Sequence, residues 1–196
     1  MKIIIAPDSF KGNMSAPLVY ETIETGIFRA YKKAKVVKIP LADGGEGTAS
    51  AITEAAEGEL VEVSVQNPLG KNRICLGAKM ESGAMLVMRY AGFFDRLKGA
   101  DLVITGEGMT DGQTAGGKLC SVVARESRKA KVPVALLSGG IGGDAGSLLA
   151  SFNYAVSISC GQIGLDVMIK DSRRDLALAA ENLIRAIQIG KKLVKH

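Results

Sequence analysis

Histidine is nearly absent from this sequence: its one copy, His196, is the last residue. An HExxH zinc helix, a histidine-built zinc site and a Ser-His-Asp triad are therefore excluded. Proton transfer falls to aspartate, glutamate, lysine or tyrosine. Cysteine is scarce as well. Cys75, Cys120 and Cys160 stand far apart, form no CxxC pair and are odd in number. They imply no disulfide framework, and the expected compartment is a reducing cytoplasm, with each thiol serving as a small buried hydrophobe. Long apolar runs are missing too. The opening MKIIIAPDSF is too short in apolar residues for a signal peptide, and no stretch is long enough to cross a membrane.

What remains is an ordinary globular composition. The 196 residues are 47% hydrophobic and 23% charged, enough for one domain with a full core. The 24 glycines cluster in a few segments, which favours a backbone that approaches a ligand closely. A net charge of +5 comes largely from RAYKKAKVVK at 29–38 and the tail KKLVKH. These read as a solvated helix end and a terminus. A nucleic-acid-binding protein stays as an alternative carried by charge alone, because no RNP, KH or zinc-finger pattern accompanies it. A modest positive field also gathers anionic substrates.

Along the chain, strands alternate with helices. Lys2 to Ala6, Val36 to Ile39, Leu102 to Thr105, Val132 to Leu137 and Tyr154 to Ser159 read as strands. Ser15 is placed to cap a helix with Pro17 in its first turn and a stripe of Leu18, Ile23, Ile27 and Tyr31. Further helices are expected at Thr48 to Ala56, Gly117 to Ala130, Gly146 to Ser151 and Leu176 to Val194. Between 58 and 88, short apolar runs broken by Asn67-Pro68-Leu69-Gly70 and Glu81-Ser82-Gly83 read as an antiparallel meander, with Ala84 to Met88 as its last strand. The whole is expected to be an α/β domain: a doubly wound, mostly parallel sheet with helices on both faces.

Ligands on such sheets bind beyond the carboxyl ends of the strands. Three segments in that position carry both glycine and charge: PDSFKG, LADGGEGT and TGEGMTDGQTAGGK. They bring Asp8 and Lys11, Asp43 and Glu46, and Glu107, Asp111 and Lys118 toward one edge. Glycine-rich turns present backbone N–H groups to an anion. Lysines neutralise phosphate oxygens, while carboxylates hold Mg²⁺ or receive a hydroxyl proton, so the set suits phosphoryl transfer. The plain alternatives are that Asp43 only fixes a turn and that Lys118 is a solvated lysine at a helix start. Residues 112–118 spell GQTAGGK, but this is not a P-loop: Leu119 stands where Ser or Thr is needed, and the preceding strand ends too early.

Taken together and in order, "IIIAPDSFKGNMSA", "PLADGGEGT" and "GADLVITGEGMTDGQTAGGK" resemble the bacterial-type glycerate kinases. The resemblance covers most of the chain in two blocks, 1–88 and 93–196. It implies an enzyme that phosphorylates glycerate from ATP with Mg²⁺. It further implies catalytic roles for Asp43, Glu107, Asp111 and Lys118, with Asp43 and Asp111 on the metal. Substrate or nucleotide contacts would come from Asp8, Ser9, Lys11, Gly44, Gly45, Glu46, Gly106, Gly108, Gln113 and Gly117. Partners are then a small-molecule substrate, with neither nucleic acid nor membrane, and a homodimer is compatible. Family members are roughly twice as long. Their middle domain, with a GGSATNDGG-like motif, walls the other side of the cleft and is missing here at about 88–92. Met109 replaces the usual Arg and Asn13 a frequent Ser. The rival within this resemblance is a remnant that binds nucleotide or anion without turnover.

Overall fold

A computed structural model of the chain describes residues 1–42, 53, 83–111, 118–143, 145–159 and 164–193. Five short apolar segments form the sheet: β1 Lys2–Ile5, β2 Lys35–Lys38, β3 Leu102–Thr110, β4 Val134–Ile141 and β5 Tyr154–Ser157. Their order is β2-β1-β3-β4-β5, and every neighbouring pair is parallel. Ile4 pairs with Val37 on one side and Val103 on the other, so β1 is an inner strand beside the central β3. Both edge strands are only four residues long, and β2 carries a lysine at each end, features that discourage further strand addition.

The helices whose bounds fall within the described residues are α1 Ala16–Ala30, α2 Gly83–Tyr90, α3 Phe93–Leu97, α4 Leu119–Lys129, α5 Ala145–Leu148 and α6 Leu165–Leu193. The pleat divides the strand residues between two cores. Ile4, Val103, Val134 and Leu136 face α2, α3 and α4, whereas Ile3, Ile5, Ile104, Ala135 and Leu137 face α1 and α6. Ser15 occupies the α1 N-cap with extended backbone, although its side chain makes no capping hydrogen bond. Among the described residues, no helix is long and apolar enough to cross a membrane.

The sheet is wholly parallel among the described residues, and the expected meander needs correction. Ala84 to Met88 is helical, within α2. Ala84, Val87, Met88 and Ala91 are buried, a spacing of three, four and seven residues that belongs to one helical face and not to a strand. The earlier meander runs lie outside the described residues. A second difference concerns the third glycine-rich segment. Its first part, through Thr110, is not loop but strand, because β4 extends alongside it, pairing Glu107 with Ser138 and Thr110 with Ile141. Glycines suggested a loop, yet here they let two backbones approach.

The strand order changes direction between β1 and β3. The chain leaves β1 for β2 on one side and later returns to β3 on the other. A crevice opens there at the carboxyl ends, the position where parallel sheets bind ligands.

Candidate active site at the β1–β3 crevice

The segment after β1 does not leave the sheet at once. Ala6 N–H donates to Ile104 O at 2.9 Å, and Asp8 N–H donates to Gly106 O at 2.8 Å. This extended ladder carries Asp8 to the end of β3, beside Glu107. The chain then turns tightly: Phe10 and Met14 bridge, with Phe10 N–H donating to Met14 O at 2.8 Å. Gly12 makes the turn possible at φ +74°, a backbone region that side chains disfavour. The turn lies on β3 at Gly108, where a Cβ would stand 3.3 Å from Phe10 Cα. A side chain there would crowd the turn, which would have to give by a few tenths of an ångström.

A cavity of about 560 Å³ opens at this point, lined on one side by Asp8, Ser9, Lys11, Glu107, Gly108 and Lys118. Two carboxylates and two ammonium groups thus share one crevice. Glu107 is buried, and the Thr110 hydroxyl lies 3.1 Å from its Oε1 and 2.9 Å from Ser138 Oγ. The Ser138 hydroxyl in turn reaches Gly140 O at 2.6 Å. Asp8 Oδ1 accepts the Ser9 N–H at 2.7 Å. Lys118 is the N-cap of α4, one residue before the helix and not in its first turn, and its Nζ stands 3.5 Å from Asp111 Oδ1. Both side chains of that pair are about two-fifths exposed, so the contact is weak and an arriving anion can compete for the lysine.

Cys120 lies beneath the crevice. Burial pushes its thiol well above the usual range, and the negative charges of Glu107 and Asp8 push it further. Thr105, whose hydroxyl lies 3.4 Å from the sulfur, acts in the opposite direction. The thiol is therefore inert as a nucleophile, as expected for a buried small hydrophobe.

Of the expected site residues, Asp8, Ser9, Lys11, Glu107, Gly108 and Lys118 converge. Gly106 supports the site through its carbonyl and does not line it, and Asp111 touches it through Lys118. Asp43, Gly44, Gly45, Glu46, Gln113 and Gly117 lie outside the described residues. Sequence reasoning missed the opposite wall, formed by Ile158, Ser159 and the start of α6. The signal was present: Leu165, Met168, Ile169 and Ser172 continue the helical spacing upstream of Leu176.

Comparison with known proteins now decides the family. The model of the glycerate kinase family matches residues 3–75 and 72–188. The chain belongs to the glycerate kinase family. Among relatives, the glycerate kinase of Haemophilus influenzae (strain ATCC 51907 / DSM 11121 / KW20 / Rd) is 50% identical over 70 residues, 36% of this chain and 18% of that protein. The glycerate 2-kinase of Escherichia coli (strain K12) is 45% identical over 71 residues, 36% of this chain and 19% of its own length. The chain thus spans under a fifth of the length of either glycerate kinase in these alignments. In fold, it resembles the crystal structure of the "putative glycerate kinase 2" from Salmonella typhimurium LT2, with a TM-score of 0.77 at 18% identity over 98% of this chain and 99% of that one. The α/β architecture is that of the glycerate kinase family, and the family acts on a small-molecule substrate.

Proposed function

We propose that this chain is the sheet domain of an ATP-dependent glycerate kinase, transferring the γ-phosphate of ATP to a glycerate hydroxyl with Mg²⁺. The observation that carries the reading is the meeting of Asp8, Glu107, Lys11 and Lys118 in one crevice at the β1–β3 switch point. Family membership supplies the reaction class. Lys11 and Lys118 hold phosphate oxygens or the glycerate carboxylate by charge. A carboxylate within reach of the substrate hydroxyl takes its proton as the oxygen attacks phosphorus, and the leaving ADP oxygen keeps the bonding electrons.

The donor set suits the metal. Mg²⁺ is commonly held by one or two carboxylates together with substrate phosphates, retaining several waters. Asp8 and Glu107 meet that need, although no cluster of three or more ligand side chains occurs among the described residues. Asp43 and Asp111 remain part of the proposed metal and catalytic set. When bound, Mg²⁺ held by these carboxylates would supply positive charge that neutralises the charge developing on the phosphate during transfer.

The same reading holds that the chain is one domain assembled from two segments of a longer family pattern. The two matched segments overlap at residues 72–75, which supports two blocks of the family pattern but puts their junction earlier than the 88–92 expected. It also assigns the chain to the cytoplasm, where scattered thiols stay reduced. The test is calorimetry with MgATP and with D-glycerate, followed by a coupled assay of ADP release. Weak binding of both is expected, with turnover several orders of magnitude below the typical value of roughly 10 per second, because phosphoryl transfer needs a water-excluded cleft. Turnover near that typical value would show that the missing wall is dispensable. No binding of MgATP or glycerate would overturn the reading.

A further inference from the structure

The crevice has two unlike sides. Beside the charged floor stands an apolar wall made of Met109 from β3, of Ile158, and of Leu165, Met168 and Ile169 from the start of α6. Ile158 belongs to the core, whereas the other four are exposed or only half-buried. Leu165 is 68% exposed, Met109 55% and Ile169 42%. Scattered exposed hydrophobics are ordinary, but several converging on one concave surface mark a binding surface. Residues 165, 168, 169 and 172 share one helical face, so the first two turns of α6 present that face to the cavity throughout.

Wall and floor are also fixed to each other. Asn13 Nδ2, from the turn that carries Lys11, donates to Ser172 Oγ at 2.8 Å, and the Ser172 hydroxyl donates to Ile169 O at 2.8 Å. Charge at one end and apolar surface at the other are therefore held at a set separation. The cavity, about 560 Å³, falls in the range of sites for drug-sized ligands, far more than a three-carbon acid fills. Two methionines in the wall add polarizable, adaptable contacts suited to a flat ring.

We propose that this apolar wall receives the nucleobase end of ATP, while the triphosphate lies on Lys11 and Lys118. The assignment rests on the kinase reading above and adds to it the orientation of the nucleotide: base toward the start of α6, phosphates toward the ends of β1 and β3. Continuity carries it, since an amphiphilic ligand of matching polarity spans a cavity with one charged and one apolar side. A covering protein surface is the rival occupant, and the experiment separates the two.

Calorimetric titration of the full chain with MgATP and with magnesium tripolyphosphate is the test. ATP should bind at least about tenfold tighter, because burying the base adds apolar contact that the inorganic anion lacks. In the double variant Leu165→Gln/Ile169→Gln the two affinities should come within about twofold, with the tripolyphosphate value unchanged. Both residues are exposed, so the fold should be retained. Leu178→Gln, an equally accessible change on α6 outside the cavity, should leave the ratio intact. Equal affinity in the unaltered chain, a preference for ATP that the double variant keeps, or a loss produced equally by Leu178→Gln each overturns the assignment while phosphate binding stands. Binding of neither ligand overturns it along with the kinase reading. Sedimentation decides the rival: an oligomer dissolved by the double variant with ATP preference unaltered makes the wall a protein contact and ends the proposal.

Discussion

Glu107 and Glu126 are buried to nearly the same degree, 8% and 7% exposed, and stand near opposite ends of α4. Their surroundings differ. Glu126 lies within 2.9 Å of Arg125 and 3.0 Å of Lys129, cations from its own helix whose side chains reach water. Burial pushes its carboxyl upward, but hydrogen bonds and charge from those two residues more than offset that and hold it below the usual value. Glu107 instead sits on a strand end, meets the Thr110 hydroxyl, and lines a cavity that two lysines also line. Burial alone does not tell these two carboxylates apart. What does is whether local cations serve it or an open cavity faces it.

Exchanging the two charges tests that contrast most strongly. Glu107→Gln should weaken magnesium-dependent ATP binding by about 2 kcal/mol, roughly thirtyfold, with little change in melting temperature. Glu126→Gln should leave binding alone and lower stability by about 1 kcal/mol, because its partners stay solvated. Calorimetry and thermal denaturation of both variants check the pattern; matching effects from the two changes would erase the distinction.

Acid unfolding gives a smaller separation. The folded-state value of Glu126 is lowered from the ordinary 4.5. Its contribution is therefore complete above about pH 4.5 and is lost as pH falls through the lowered folded value. Urea midpoints measured at neutral pH and near pH 3 should differ less in Glu126→Gln than in the unaltered chain. An unchanged difference would mean that the helix cations do not stabilise the folded form.

The smallest effect belongs to the next residue. Ser127 is fully buried, and its hydroxyl has no hydrogen-bond partner among the described residues. Ser127→Ala removes an unsatisfied polar group, so stability should hold or rise by up to about 1 kcal/mol. A clear loss in a denaturant melt would reveal a role for the hydroxyl.

Much of the architecture was legible along the chain. Each strand run is bounded by turn residues, and the alternation of strand with helix led to a parallel, doubly wound sheet. The three charged, glycine-bearing segments were recognised as the site's material, and two of them do meet. Other features were less legible for physical reasons. A five-residue apolar run such as 84–88 fits a strand or a helix until its buried neighbours are known. The glycines of β3 suggested a turn, since composition does not reveal that β4 runs alongside. The apolar wall escaped notice because Leu165, Met168 and Ile169 read as more of a packed helix, and only placement shows them beside a cavity.

The sequence by itself determined which residue types are available for chemistry here, acids and lysines without histidine, and the general alternation of strand with helix. Those properties are local: they depend on side-chain chemistry and on periods of two and 3.6 residues. The tertiary structure alone decided that the chain returns from β2 past β1 to β3, so that Asp8 and Glu107, 99 positions apart, share a crevice. It also decided that α6 begins beside them. Strand order and helix placement follow from which apolar faces pack together, a long-range outcome that no short stretch of residues encodes.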